Sequence, residues 1–171
     1  LAFKNACENA KIQDQTDVIM LDAPQEIPNS ALLNLYNPKL DQLNSDQLKE
    51  FVFSIEDSVK ASDKRIVSIP YLGVSRGKNE SLLLSSRGVS YNHRSNEVAA
   101  WCGTLLQDGD SRKSGTKILN RRVWDPNAGK RVGEEAVENA AELLNASPIA
   151  SAKMPIVLDE FTAPSFLQIY F

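Results

Sequence analysis

The hydrophobic period of this chain changes twice, and that confines it to a mixed fold. Asn44-Ser45 places a capping residue ahead of Leu48, Phe51, Val52, Ile55 and Val59, whose i, i+3, i+4, i+7, i+11 spacing predicts an amphipathic helix to about Ser62. From Lys64 to Trp124 the period falls to two, with Val67, Ile69 and Tyr71 alternating in one run and Val98, Ala100 and Cys102 in another. Gly77-Lys78-Asn79, Arg87-Gly88 and Asp108-Gly109-Asp110 read as turns. They divide this stretch into expected strands at about 65–76, 81–86, 88–93, 97–107 and 114–123. Past Asp125-Pro126-Asn127-Ala128-Gly129, the helical period returns in Val132, Ala136, Val137, Ala140, Leu143 and Leu144, to about Ala146. The expected fold is α+β, an antiparallel or mixed sheet of about four to five strands flanked by helices.

The flanks are less regular. Phe3, Ala6, Cys7 and Ala10 recur at helical spacing and predict a helix at about 1–12. Asp17 to Leu21 is a short apolar run, a strand or a packed loop. Residues 22–44 hold Pro24, Pro28 and Pro38, the composition of a connector, with Leu35 and Tyr36 as anchors. Pro155-Ile156-Val157-Leu158 reads as a brief buried strand, and the segment from Thr162 to Phe171 as the first turns of another helix. The chain opens without methionine in mid-helix and stops on an uncapped apolar segment. The expectation is therefore an internal piece of a longer protein.

Composition narrows the function. Among 171 residues, 19 are basic and 22 acidic, for a formal net charge of −3. Such a balance offers no field to attract a phosphate backbone, so direct nucleic-acid binding is not expected. No apolar run approaches the ~18 residues a membrane span requires, and the amino-terminal residues resemble neither a signal nor a transit peptide. A soluble, cytoplasmic protein without membrane contact is expected. Cys7 and Cys102 are far apart and form no C-x-x-C pair, so both read as buried small hydrophobes.

Each candidate for chemistry has a simpler reading beside it. His93 is the sole histidine and lies among polar residues, which suits an exposed loop. A nucleophilic pair of His93 with Cys102 would need an orienting third group that the sequence does not supply. One histidine is also too few for a catalytic zinc. Ser75-Arg76-Gly77-Lys78 lacks the framework of a phosphate loop, and its glycine suits a hairpin turn. Glu134, Glu135, Glu138 and Glu142 fall at helical spacing as a solvated face. Arg112-Lys113 and Arg121-Arg122 suit a solvated edge strand. Asn79-Glu80-Ser81 and Asn145-Ala146-Ser147 match a glycosylation acceptor pattern by chance, and Trp101 and Trp124 suit core or sheet-face positions.

Three stretches together resemble the TldD/PmbA family. Asp63-Lys64-Arg65-Ile66, leading through Tyr71 to Leu84-Ser85-Ser86-Arg87-Gly88-Val89-Ser90, is similar to the family's D-x-R-I strand and N-S-x-G turn. Gln107-Asp108-Gly109-Asp110 resembles its hairpin. The run from Gly133-Glu134-Glu135-Ala136 through Ala140-Ala141-Glu142-Leu143-Leu144-Asn145-Ala146 to Lys153-Met154-Pro155-Ile156-Val157-Leu158 resembles its helix and P-V-V-L strand. The resemblance spans roughly residues 45–171 and rests on the order and spacing of these motifs; it implies residues 1–158 as a partial amino-terminal α+β domain and residues 159–171 as the lead into a carboxy-terminal domain.

The resemblance implies metallopeptidase subunits of a proteolytic complex, named also for modulation of DNA gyrase. In the family's active branch a His-Glu-x-x-x-His helix follows the P-V-V-L strand, with zinc on the histidines and the glutamate as base. Here Gln168 and Ile169 stand where the first His and Glu would fall. An amide binds zinc poorly and an alkyl chain moves no proton. The resemblance is thus to the metal-free PmbA, or TldE-like, branch, and it implies no catalytic, cofactor-binding or metal residue and no cofactor in this chain. It implies a TldD-like partner subunit or self-association, a peptide or unfolded polypeptide as substrate of the assembly, and a scaffold with a peptide-facing surface. Two other classes stay open: a peptidase whose catalytic residues lie outside these 171, and a stand-alone small-ligand binding module.

Overall fold

The computed structural model describes residues 2–12, 33–159 and 162–170. The elements are α1 (Ala2–Ile12), a 3-10 helix (Pro38–Gln42), α2 (Ser45–Ser62), β1 (Ile66–Leu84), β2 (Ser90–Asp108), β3 (Ser111–Arg121), α3 (Ala128–Leu144) and α4 (Thr162–Leu167). The α+β class is as expected, but three strands carry the sheet, in the antiparallel order β1-β2-β3. The lower count has one cause. Gly77-Lys78-Asn79 does not turn: Gly77 pairs with Glu97 and Asn79 with Ser95 in unbroken register, so two expected pairs of short strands are one long ribbon. The turn lies at 85–89, where the Ser85 N–H reaches the Val89 carbonyl at 2.9 Å and Gly88 takes φ 87°. That left-handed conformation suits glycine.

Asp108-Gly109 forms the second tip as expected. Asp108 pairs with Ser111, Leu106 with Lys113, and so on to Val98 with Arg121, while Gly109 has φ 55°. Pro70 interrupts β1, an edge strand among the described residues, where the register shifts between Ser68 and Tyr71. A proline is tolerated there because no ladder donor is required of it. The shift also reverses the face of the strand, so Ile69 and then Leu72 and Val74 pack on the core.

α2 begins at Ser45 with a capping box. The Gln47 N–H donates to Asn44 Oδ1 at 2.9 Å and the Asn44 N–H to Gln47 Oε1 at 3.0 Å. α3 lies across β2 and β3, and α2 packs on α3 and on the β1 edge. Phe51, Ile55 and Val59 from α2, Ala100, Cys102 and Leu106 from β2, and Val132, Ala136, Val137 and Ala140 from α3 form one buried core. Each fully buried aliphatic side chain there contributes about 1.5–3 kcal/mol.

Small residues set the spacing of these layers. At Gly133, a β-carbon would lie 2.6 Å from the Ile55 carbonyl oxygen and would overlap the Ser58 hydroxyl. At Gly129 it would lie 3.1 Å from the Phe51 carbonyl and overlap the Ser54 hydroxyl. Both serines turn back on their own helix, Ser54 donating to Phe51 O at 2.7 Å and Ser58 to Ile55 O at 2.8 Å, so the tight contact leaves no polar group unsatisfied. On the sheet side, Gly115 admits the α3 backbone at Ala136 and Ala140, and the Thr104 hydroxyl donates to the Ala136 carbonyl at 2.9 Å.

The opposite face of the sheet carries aromatic lids. Tyr71 lies over Gly103 and Trp101 over Gly73, each across the strand from the glycine it covers. The Tyr71 hydroxyl reaches Thr116 Oγ1 at 2.6 Å. Tyr71 and Ile118 are about half exposed on this side of the sheet.

Two expectations at the flanks are corrected. Pro155–Leu158 is no buried strand, and Val157 is 97% exposed, because an extended apolar run without a neighbouring strand among the described residues has nothing to pair with. Cys7 is exposed, since α1 buries none of its residues, whereas Cys102 is buried as expected. α3 ends at Leu144, with Asn145 as its C-cap. The expected element at Asp17–Leu21 lies outside the described residues, as do Phe161 and Phe171.

Gly133→Ala is predicted to destabilise the protein by about 2–4 kcal/mol, because backbone on the facing helix cannot retreat from the added methyl. Gly77→Ala meets only the flexible Glu97 side chain, at 3.6 Å, and should fall within about 0.5 kcal/mol of wild type. Urea unfolding of the two variants side by side tests both values.

Candidate functional site

Polar side chains converge where the β1–β2 ribbon leaves the sheet. Between Ser90 and Glu97, β2 pairs with β1 alone among the described strands, since the β3 register starts at Val98. At that step Asn96 is buried and fully used. Its amide donates to Asn37 O at 2.8 Å and to Asp41 Oδ1 at 3.0 Å, its Oδ1 accepts the Asn37 N–H at 2.8 Å, and its own N–H meets Leu35 O at 3.1 Å. Asp41 also accepts from the Tyr36 hydroxyl and pairs with Lys78 at 3.3 Å. Arg94 donates to the Tyr36 oxygen at 2.6 Å and lays its guanidinium 3.8 Å from the ring centroid. Arg76 donates to the carbonyls of Leu43 at 2.7 Å and Asp41 at 3.0 Å, closing the C-terminal end of the 3-10 helix.

The electrostatics follow from these bonds. The Tyr36 hydroxyl, with help from Asn96 and Lys78, holds the Asp41 carboxyl down to about 2. The same bond raises the Tyr36 phenol above its ordinary range. Asp41 is thus ionised throughout the physiological range, and the cluster is a fastening of charge and hydrogen bonds with no acid or base poised near neutrality.

A second locus is a cavity of about 540 Å³ between β3 and the first turns of α3. Trp124 and Phe51, with ring centroids 4.9 Å apart, share its wall with Val98, Leu119 and Val132. Lys117, Arg121, Arg131 and Glu135 stand among its polar lining. Glu135 bonds Lys117 and accepts from Arg131 at 3.0 Å, and Lys117 first, then Arg131, lowers its pKa.

The residues singled out in the sequence are dispersed. His93 sits within β2, half-buried beside the Tyr91 ring rather than in a loop. Nine residues of one extended strand, about 30 Å, and opposite faces separate it from Cys102, so no nucleophilic pair forms. Burial alone pushes the Cys102 thiol up to about 11. Ser75 to Lys78 is straight strand, and its two cations serve the 3-10 helix and Asp41. Arg112, Lys113 and Arg121 lie on edge strand β3, as expected. Glu135 departs from the solvated face assigned to its helix neighbours, because the β3 lysine reaches it. Trp101 is a sheet-face lid and Trp124 a cavity wall. Gln168 and Ile169 follow α4 in an exposed turn, and an amide beside an alkyl chain does not fit a zinc ion.

The motifs behind the family resemblance do meet in space. Arg65 grips Asp63 at 2.7 Å and Asp108 at 3.0 Å, binding the start of β1 to the β2–β3 tip. Sequence reasoning missed Tyr36, Asp41, Arg94 and Asn96 as one cluster. Its members span sixty positions, and no local period joins them.

Comparison with known proteins gives one coherent result. The family profile of the PmbA/TldA metallopeptidase central domain matches residues 38–144. No curated protein matches the chain. A solved structure of a candidate modulator of DNA gyrase from Bacteroides thetaiotaomicron is similar at TM-score 0.77 and 21% identity, over 98% of this chain and 39% of that one. Another candidate modulator of a DNA gyrase, from Thermotoga maritima, gives 0.70 and 16%, over 88% and 33%. TldE from Thermococcus kodakarensis gives 0.62 and 20%, over 82% and 31%. The chain therefore spans between three and four tenths of the length of these solved relatives, and at such identities the likeness speaks to the fold.

The Asp41 cluster yields a signed prediction. Because the folded-state pKa of Asp41 is depressed, its stabilisation is fully present above the ordinary carboxylate value and is lost as pH falls from about 4 through about 2. Asp41→Asn should be less stable than wild type at pH 7 and should show a shallower loss across that acid window. Urea midpoints measured at pH 7, 4 and 2.5 for both proteins give the comparison; parallel curves would show that Asp41 is not fastened as described.

Proposed function

The chain belongs to the PmbA/TldD family, and from that premise we propose that it is part of a PmbA/TldE-like subunit of a cytoplasmic TldD/PmbA-type metalloprotease complex acting on peptides. The match of the family profile over residues 38–144 carries this reading. The metal-free assignment is supported by Gln168 and Ile169, which stand where the resemblance expects a zinc-binding histidine and a glutamate base. Neither side chain can take over those roles.

On this reading the chain supplies scaffold and surface. The side of the sheet that no other described element covers supports that role, with Tyr71 and Ile118 about half exposed on it. Side chains on strands hold their positions more closely than side chains on loops, which suits a surface that must present a peptide or a partner in one register. The zinc, and the water it activates, would come from a TldD-like subunit.

The test is reconstitution of the protein with a zinc-bearing family subunit. Alone, the protein should hold well under about a tenth of a zinc ion per chain after dialysis and cleave no unstructured peptide; with the partner, the pair should hold about one zinc and cleave it until a chelator is added. About one zinc per chain in the protein alone, together with cleavage, would instead identify a self-sufficient peptidase.

A further inference from the structure

The cavity between β3 and α3 takes no part in the scaffold role, and its lining has a chemistry of its own. Its volume of about 540 Å³ lies in the range of small-molecule sites. Its apolar wall is built from packed core elements: Phe51 and Val132 are nearly fully buried, and the Trp124 ring is braced against Phe51. A ring or branched alkyl group can lie against the accessible part of the Trp124 ring while these buried side chains stay in place.

The charges around the mouth do not cancel. Lys117, Arg121 and Arg131 stand there against Glu135 and Asp125, three cations to two carboxylates, and the Glu135 carboxylate is shared between Lys117 and Arg131. Asp125 accepts the Asn127 N–H at 2.9 Å and keeps its negative charge. The Arg121 guanidinium lines the same cavity and makes no ion pair or side-chain hydrogen bond among the described residues. An unpaired planar guanidinium beside an aromatic wall is a receptor for a planar anion.

We infer that this cavity binds a carboxylate bearing one bulky apolar group, with the apolar group against the Trp124 ring that Phe51 braces and the carboxylate on Arg121. A free aromatic or branched acid and the carboxy-terminal residue of a peptide share this chemistry. Binding here does not depend on the subunit role proposed above, and the titration below reads it whether or not the protein pairs with a metal-bearing partner.

Calorimetric titration of the purified protein with N-acetyl-phenylalanine, and with its neutral carboxamide, isolates the contribution of the charge. The acid should bind saturably, with a dissociation constant of about 1 mM or tighter, and the carboxamide about tenfold more weakly. Arg121→Gln, at an exposed position, should bring the acid down to the level of the carboxamide and leave the carboxamide unchanged. Val123→Trp, at a 69% exposed residue of the mouth, should abolish both. A tetrapeptide ending in phenylalanine then separates the two sources: binding as tight as the acid's means that a chain end enters, whereas binding of the acid alone means a free small molecule. Equal binding of acid and carboxamide, indifference to Arg121→Gln, or no saturable heat from the acid would overturn the inference.

Discussion

The structure depends on the distance at which α3 can settle between α2 and the sheet. Gly129 and Gly133 face α2, Gly115 faces α3 from the sheet, and at each of the three a single methyl would collide with backbone or a hydroxyl. Closer approach brings more core side chains into mutual contact, and it brings the Ala136 carbonyl within reach of the buried Thr104 hydroxyl. The layers are therefore held by what these residues lack. The same spacing places the first turns of α3 beside Trp124 and thereby shapes the cavity wall.

Much of this was legible in the sequence, and what was not has identifiable physical causes. The α2 and α3 periods marked real helices because each buries one stripe against the core. The Asp108-Gly109 tip was legible because positive φ has a strong residue preference. Gly77 misled because a glycine can also mark a place where nothing needs to pack. Gly73 and Gly103, in the same strands, make room for aromatic rings from the neighbouring strand, a use that becomes visible only once the register is known. Pro155–Leu158 has strand composition and no strand partner, and composition does not encode partners.

The polar sites were less legible still. Asp41 and Asn96 are 55 positions apart and unremarkable in their own neighbourhoods, yet where the ribbon departs they bond each other and, between them, Leu35, Tyr36, Asn37 and Lys78. Glu135 looked like its helix neighbours until Lys117, from another element, was placed against it. The family resemblance was readable because its motifs record such meetings indirectly: Asp63, Arg65 and Asp108 are the two ends of one clamp.

The ribbon beyond Asn96 has a consequence for how the molecule breathes. Its strands hold one another and carry Leu82, Leu83 and Leu84 exposed, without a third strand or a helix beneath them among the described residues. Two strands alone are marginal in water. The distal ribbon and the sheet therefore constitute separate cooperative units, and amide exchange will run faster from Ser81 to Asn92 than from Val98 to Leu106 by orders of magnitude. The Asn96 cluster is the boundary between them, so the domain can open at that end many times over without its core taking notice.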